Sequence, residues 1–186
     1  MTGMQSKDEI RRRMKAMQRE FLASGRQERE SVRILGELER SPEFVSARTV
    51  LGYMAISGEV LTEGFIRRWS AYKRMLIPLV TPSGLELREY RPDCLVSGYA
   101  GIPEPSAGAP LCRPDEVDFA FVPGVAFSRG QEGEPGRIWR LGRGKACYDR
   151  LLPSLHCPVA GVAFPFRLVD RLPLDPWDRP LDLLFI

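Results

Sequence analysis

Histidine occurs once in the 186 residues, as His156, and cysteine four times, at Cys94, Cys112, Cys147 and Cys157. A lone histidine assembles neither a His-rich zinc site nor a Ser-His-Asp relay, and ahead of Pro158 it reads as a turn or packing residue. The cysteines are too widely spaced for a Cys-x-x-Cys metal site or a disulfide framework, which points to a reducing, cytoplasmic setting. Long apolar runs are missing: no stretch of about 18 such residues occurs, and the charged, amphipathic N-terminus lacks the pattern of an export signal. No membrane span is expected. Net charge is also small, 27 Lys+Arg against 24 Asp+Glu, or +3. That is too little to argue for a nucleic-acid partner, although basic residues gather at Arg11–Arg19 and Arg137–Arg150. Repeats and low-complexity segments are absent.

What is present has the balance of a globular protein, with 44% hydrophobic and 27% charged residues, and a length suited to one domain over residues 1–186. Ile10, Met14, Met17 and Phe21 step by four, three and four, which predicts a helix from Ser6 to about Phe21. Lys7 and Arg11 share one side near its start, where they can grip an anion. A second helix is expected from Gly25 to Arg40, with Val32, Leu35 and Leu38 inward and Ser41-Pro42 ending it. Thr49–Ile56 reads as a buried strand, followed by Glu59, and Thr62–Tyr72 as a helix burying Phe65, Ile66 and Trp69. Met75–Val80, Val117–Val122, Pro158–Ala163 and Leu181–Ile186 are further apolar strands. The alternating Leu85–Tyr90 reads as antiparallel or edge. Gly98–Pro114 is expected to be an ordered loop and Ser128–Gly136 a polar excursion, either a flap or an insertion. Strands alternating with helices predict a three-layer α/β domain, with a mixed, mostly parallel sheet and helices on both faces.

The densest chemistry lies in Arg140–Arg150, Arg-Leu-Gly-Arg-Gly-Lys-Ala-Cys-Tyr-Asp-Arg. Gly142 and Gly144 free the backbone to turn its amides toward an anion, and Arg140, Arg143, Lys145 and Arg150 attract one. Tyr148, Leu151 and Leu152 fall at helical spacing, so the loop is expected to open into a helix whose N-terminus adds a positive end. A phosphate cradle and a basic surface turn are both compatible with this spacing. Glu59 has two readings as well: a ligand carboxylate at a strand's carboxyl end, or a helix N-terminal carboxylate.

Several segments, in order along the chain, resemble the 5-formyltetrahydrofolate cyclo-ligase (methenyltetrahydrofolate synthetase) family. They are Lys7-Asp8-Glu9-Ile10-Arg11, Gly58-Glu59-Val60-Leu61-Thr62, Gly101-Ile102-Pro103-Glu104-Pro105, Val122-Pro123-Gly124-Val125-Ala126-Phe127 and the glycine loop itself. The resemblance implies a Rossmann-like, cyclo-ligase/CoA-transferase-like fold and ATP-dependent closure of 5-formyltetrahydrofolate to 5,10-methenyltetrahydrofolate, with ADP and phosphate released and Mg2+ required. It implies that Lys7, Arg11, Arg140, Gly142, Arg143, Gly144, Lys145 and Tyr148 hold ATP. Lys7, Arg11, Arg140 and Tyr148 would serve catalysis. Met54, Glu59, Arg143, Cys147 and Tyr148 would line the folate pocket, and Asp149 with Asp178 would take the metal. The expected partners are a reduced folate and ATP, on a monomer or weak homodimer.

The chain departs from the family pattern at four places. Ala146 stands for the third loop glycine, Cys147 for the first of two tyrosines, Arg167 for a glutamine, and Trp177 for a histidine ahead of Asp178. Alanine at a positive φ costs about 1 kcal/mol or more, and the lost tyrosine removes an aromatic surface from the folate side. A non-catalytic or repurposed paralogue that binds nucleotide or folate is therefore the alternative. A nucleic-acid-binding adaptor ranks below both.

Overall fold

The chain's first element is α1 (Lys7–Ala23), begun by a capping box in which Ser6 Oγ accepts from the Glu9 amide at 3.3 Å and the Glu9 carboxylate accepts from the Ser6 amide at 2.7 Å. The reciprocal pair satisfies donors that a helix start leaves open. Ile10, Met14 and Phe21 are buried as their spacing predicts, and Met17 is half-buried. The computed structural model describes residues 5–98, 101–131 and 134–186.

In α2 (Gln27–Leu38) the buried stripe is Ser31, Ile34, Leu35 and Leu38. Val32, expected inward, is 70% exposed. Ser31 takes the inner position because its hydroxyl donates to the Gln27 carbonyl at 2.7 Å and accepts from the Leu61 amide at 3.0 Å, so a small polar residue sits inside fully bonded. Ser41-Pro42 starts a new helix, α3 (Pro42–Ser46), with Ser41 as its cap.

Strand β1 (Thr49–Leu51) is shorter than the expected Thr49–Ile56. It stops at Gly52, where a Cβ would lie 2.5 Å from the Phe121 ring, and residues 52–56 are irregular. Helix α4 (Glu63–Trp69) is likewise shorter than expected; it buries Phe65 and Ile66 and leaves Trp69 half-buried. Strands β2 (Arg74–Thr81) and β3 (Gly84–Glu89) form a hairpin turned at Pro82-Ser83. The expected loop Gly98–Pro114 contains structure: β4 (Leu95–Ser97) pairs with β5 (Pro103–Pro105), and β6 (Leu111–Cys112) extends β3; residues 99–100 lie outside the described residues.

After β7 (Phe119–Val122), the expected polar excursion is part of a long antiparallel hairpin, β8 (Ala126–Gln131) with β9 (Glu134–Leu141). Whether its tip acts as a flap turns on residues 132–133, which are also outside the described residues. The glycine loop opens into α5 (Cys147–Leu151), a single turn in which the expected helix dipole is weak. Strands β10 (Val159–Val162) and β11 (Leu183–Phe185) complete the sheet.

The main sheet has seven strands in the order β11-β10-β7-β1-β2-β3-β6. Neighbours from β11 through β2 are parallel, and β3 and β6 are added antiparallel. This is the expected mixed, mostly parallel α/β architecture. Alternate residues divide between two cores. Val50, Met75, Phe119 and Phe121 join residues of α2, α3 and α4 on one face. Leu51, Leu76, Ala120 and Val122 join Phe127, Ile138, Leu151 and Leu152 on the other. A third cluster packs Ile10 and Met14 of α1 against Trp139 and Leu141 of β9. Helix α1 is therefore held beside the strand that feeds the glycine loop.

Glu116, between β6 and β7, accepts from the Arg113 amide at 2.8 Å and from Arg74 at 3.0 Å, which holds its carboxyl down at about 2. A depressed native pKa stabilises the fold above the unfolded value near 4.5, and that stabilisation fades as pH falls toward 2. Glu116→Gln is expected to be less stable than wild type at neutral pH. The gap should narrow between pH 4.5 and 2 in denaturant titrations at a series of pH values.

Candidate active site

The chain leaves β1 toward β2 on one side, while β7 leads to β10 on the other. The carboxyl ends of β1 and β7 therefore flank a topological switch point, where open α/β sheets form a crevice. A cleft of about 510 Å³ opens there. One wall is apolar: Met54 and Ile56 after β1, Pro78, Val80 and Leu85 from the β2–β3 hairpin, and Ile102 and Pro103 before and within β5. The facing wall is the glycine loop, with Arg140, Gly142, Arg143 and Lys145 through Asp149. His156 is exposed and lies apart from this lining.

Glu59 is a turn residue ahead of α4 and is 7% exposed. Its Oε2 accepts from the Ile56 amide at 3.1 Å and its Oε1 from Arg143 at 3.0 Å. The carboxylate is thus held at the cleft by its own turn and by the glycine loop, and the helix N-terminal reading does not describe it. Sequence spacing carries no trace of this Arg143 contact, which joins residues 84 positions apart.

Within the loop, Gly144 uses glycine's freedom at φ +98°, whereas Gly142 serves by its lack of a side chain: a Cβ there would stand 3.2 Å from an Arg140 nitrogen. Arg140 is 8% exposed, donates to Asp149 at 2.5 Å and to the Pro123 carbonyl at 3.3 Å, and lies 5.3 Å from the Tyr148 ring centre. Among the described residues its buried Nε has no hydrogen-bond partner. A buried, unmatched guanidinium donor at a cleft wall is suited to an anionic ligand. Burial pushes the Tyr148 and Tyr53 phenols well above their ordinary value, so both stay neutral at physiological pH. Cys147 is half-buried at the start of α5, with its thiol 3.6 Å from the Lys145 carbonyl.

Not every residue singled out in the sequence lines the cleft. Lys7 donates to Asp175 and Asp178 at 2.7 Å each, away from the lining. Burial draws its ammonium down, but the two carboxylates outweigh that and leave it raised. Arg11 borders the loop, with Nε donating to the Gly142 carbonyl at 3.1 Å and Nη1 to Asp8 at 2.7 Å. Asp149 lines the cleft and Asp178 does not; among the described residues no group of three or more His, Cys, Asp or Glu could hold a metal. Sequence reasoning missed Gln18, which donates to the Ser57 carbonyl at 3.0 Å, and saw Arg167 only as a departure.

The pattern of the 5-formyltetrahydrofolate cyclo-ligase family matches residues 3–186. The chain belongs to that family. It is 34% identical over 152 residues to the 5-formyltetrahydrofolate cyclo-ligase of Escherichia coli K12, covering 75% of this chain and 78% of that one. It is 32% identical over 145 residues to the enzyme of the same name from Haemophilus influenzae, covering 73% of each. The solution structure of Aquifex aeolicus 5,10-methenyltetrahydrofolate synthetase superposes with a TM-score of 0.82 at 33% identity, covering 96% of this chain and 88% of that one. A synthetase structure from Mycoplasma pneumoniae, at 21% identity and a TM-score of 0.72 over 97% and 98% of the two chains, shares the fold.

In this cyclo-ligase family member the loop carries strain. Ala146 has φ 52° and ψ 18°, the left-handed region, and is the one non-glycine residue at positive φ among those described. Ala146→Gly relieves about 1–2 kcal/mol of that strain and adds back about 0.5–1 kcal/mol of unfolded-state entropy. A net gain of up to about 1.5 kcal/mol is expected by chemical denaturation. A loss of stability would contradict the left-handed conformation.

Proposed function

We propose that this chain converts 5-formyltetrahydrofolate and ATP into 5,10-methenyltetrahydrofolate, ADP and phosphate. The observation that carries the reading is a single cleft in which an apolar wall and a buried carboxylate face a cationic glycine loop. Such a cavity suits a reduced pterin on one side and a polyphosphate on the other. The relatives bear the same activity in their names, and the non-catalytic alternative gains no observation of its own.

The folate's reduced pterin packs on Met54, Ile56 and the β2–β3 hairpin, and Glu59 accepts hydrogen bonds from its N–H edge. The triphosphate lies along Gly142–Lys145, with Arg140 and Arg143 as cations and Lys7 and Arg11 closing from α1. The formyl oxygen attacks the γ-phosphorus as the bond to ADP breaks. N10 of the folate then attacks the activated formyl carbon, loses its proton, and phosphate departs with the former formyl oxygen. Phosphoryl transfer of this kind needs alignment and charge neutralisation more than a protein base. Tyr148, neutral and stacked near Arg140, fits the junction of the two ligands, with Cys147 beside it.

Mg2+ fits the donor set in one respect: Asp149 and Asp178 offer hard carboxylate oxygens, each now paired with a cation, Arg140 and Lys7. With one or two carboxylates and, among the described residues, no larger cluster, the fit is to an ion brought by the nucleotide, where it would neutralise phosphate charge. The same reading takes residues 1–186 as one cytoplasmic domain, a monomer or weak homodimer, acting on small molecules without a nucleic-acid partner. Among the described residues no helix is long and apolar enough to cross a membrane.

Incubation of the folded protein with 5-formyltetrahydrofolate, ATP and Mg2+ is expected to produce the methenyl chromophore; its absence would remove the proposal. Arg140→Met is expected to lower kcat/KM for ATP by about 10²-fold or more, the scale for losing one charge-stabilising donor. Glu59→Gln should act first on folate affinity, measured by equilibrium titration.

A further inference from the structure

Arg167 is the most deeply buried cation described, 2% exposed, in the turn after β10. Burial lowers its pKa from the ordinary guanidinium value while leaving it charged. A buried charge of this kind is retained only where hydrogen bonds and opposite charge compensate it. Its Nη1 donates to the Val125 carbonyl at 2.9 Å, and Nη2 to the Gly58 carbonyl at 2.7 Å and to Gln18 Oε1 at 2.8 Å. Gln18 in turn donates to the Ser57 carbonyl at 3.0 Å. Gly58 stands at φ +81°, and a Cβ there would meet Gln18 at 2.2 Å, so the turn and the Gln18–Arg167 pair are fitted closely together.

Both carbonyls ahead of Glu59 in this turn are therefore clamped from α1 and from the end of β10. Gln27 secures the next one, donating to the Glu59 carbonyl at 3.0 Å. The Arg167 charge is also felt by the Glu59 carboxylate, attractively, and by Arg143 across it, repulsively. Glu59 thus lies in the field of two guanidiniums, one buried behind it and one half-exposed at the cleft. Resting on the reading of Glu59 as the folate-facing carboxylate, we infer that Arg167 is the positioning residue that holds the Ser57–Glu59 turn and aims Glu59 into the folate end of the cleft. Arg167 itself lies outside the cleft lining and acts through Gly58, Gln18 and the field at Glu59.

The test is a double-mutant cycle read in the affinities for 5-formyltetrahydrofolate and for ATP, each titrated separately. Arg167→Met keeps length and removes the donors. It is expected to weaken folate binding by about tenfold in the wild-type background and by under about twofold in Glu59→Gln, with ATP affinity unchanged to within about twofold. Arg167→Lys, which keeps charge but not the fork, should fall between. Hydrogen exchange of the Glu59 amide, which donates to the Ile56 carbonyl at 3.0 Å, should accelerate while the strand amides do not. An equal folate defect in both backgrounds, or an equal loss of ATP affinity, overturns the inference and leaves the functional reading intact. Wild-type protein that binds no folate overturns the functional reading and the inference with it. If Arg167→Met does not fold, Gln18→Ala loosens the same clamp at its half-exposed end, and the same two comparisons decide.

Discussion

A buried carboxylate has to be compensated where it stands, and the Glu59 site is arranged around that requirement. At 7% exposure Glu59 cannot rely on water, so its two oxygens take an amide from its own turn and a guanidinium from the glycine loop. The contact fixes the distance between the segment after β1 and the segment after β9. These are the two sides of the cleft. The apolar wall, the loop and the one-turn helix α5 are consequently presented to one volume, although they come from distant parts of the chain.

The cations of the glycine loop and of the nearby start of α1 follow the same logic. Lys7 is held by Asp175 and Asp178, Arg140 by Asp149, and Arg11 by Asp8 and the Gly142 carbonyl. A cluster of cations left uncompensated in a half-buried cleft would repel itself; pairing with carboxylates keeps each side chain in a defined place. On the proposed reading, a polyphosphate would exchange with those carboxylates and gain only the difference between the two sets of contacts. Arg140 differs from the rest because its Nε is buried without a partner among the described residues, so a ligand there satisfies a donor instead of replacing a bond.

Much of this was legible along the chain. The strand and helix content, the antiparallel β3 and the glycine loop followed from periodicity and turn residues, and the order of the short motifs carried the family. The errors have local causes. Val32 reads as inward because it is apolar, while Ser31 occupies the stripe through bonds to Gln27 and Leu61. β1 is shorter than its apolar run because Tyr53, Met54 and Ile56 are apolar for the sake of the core and the cleft, not the sheet. The β8–β9 hairpin is hidden by its glycines and charges, among them the exposed Arg129, Gly136 and Arg137.

The sequence by itself determined the layered α/β class, the glycine-rich cationic composition of Arg140–Lys145 and the places where the chain departs from its family, because propensity, turn chemistry and motif order are local properties. Only the tertiary structure decided that Arg143 turns to Glu59, that Lys7 and Asp178 neutralise each other, that Ala146 is left-handed and that Arg167 reaches Gly58. These depend on distances between segments far apart in the chain and on the burial of charge. Local pattern does not encode either; the packing of α1, β1, β9 and the turn after β10 around one crevice does.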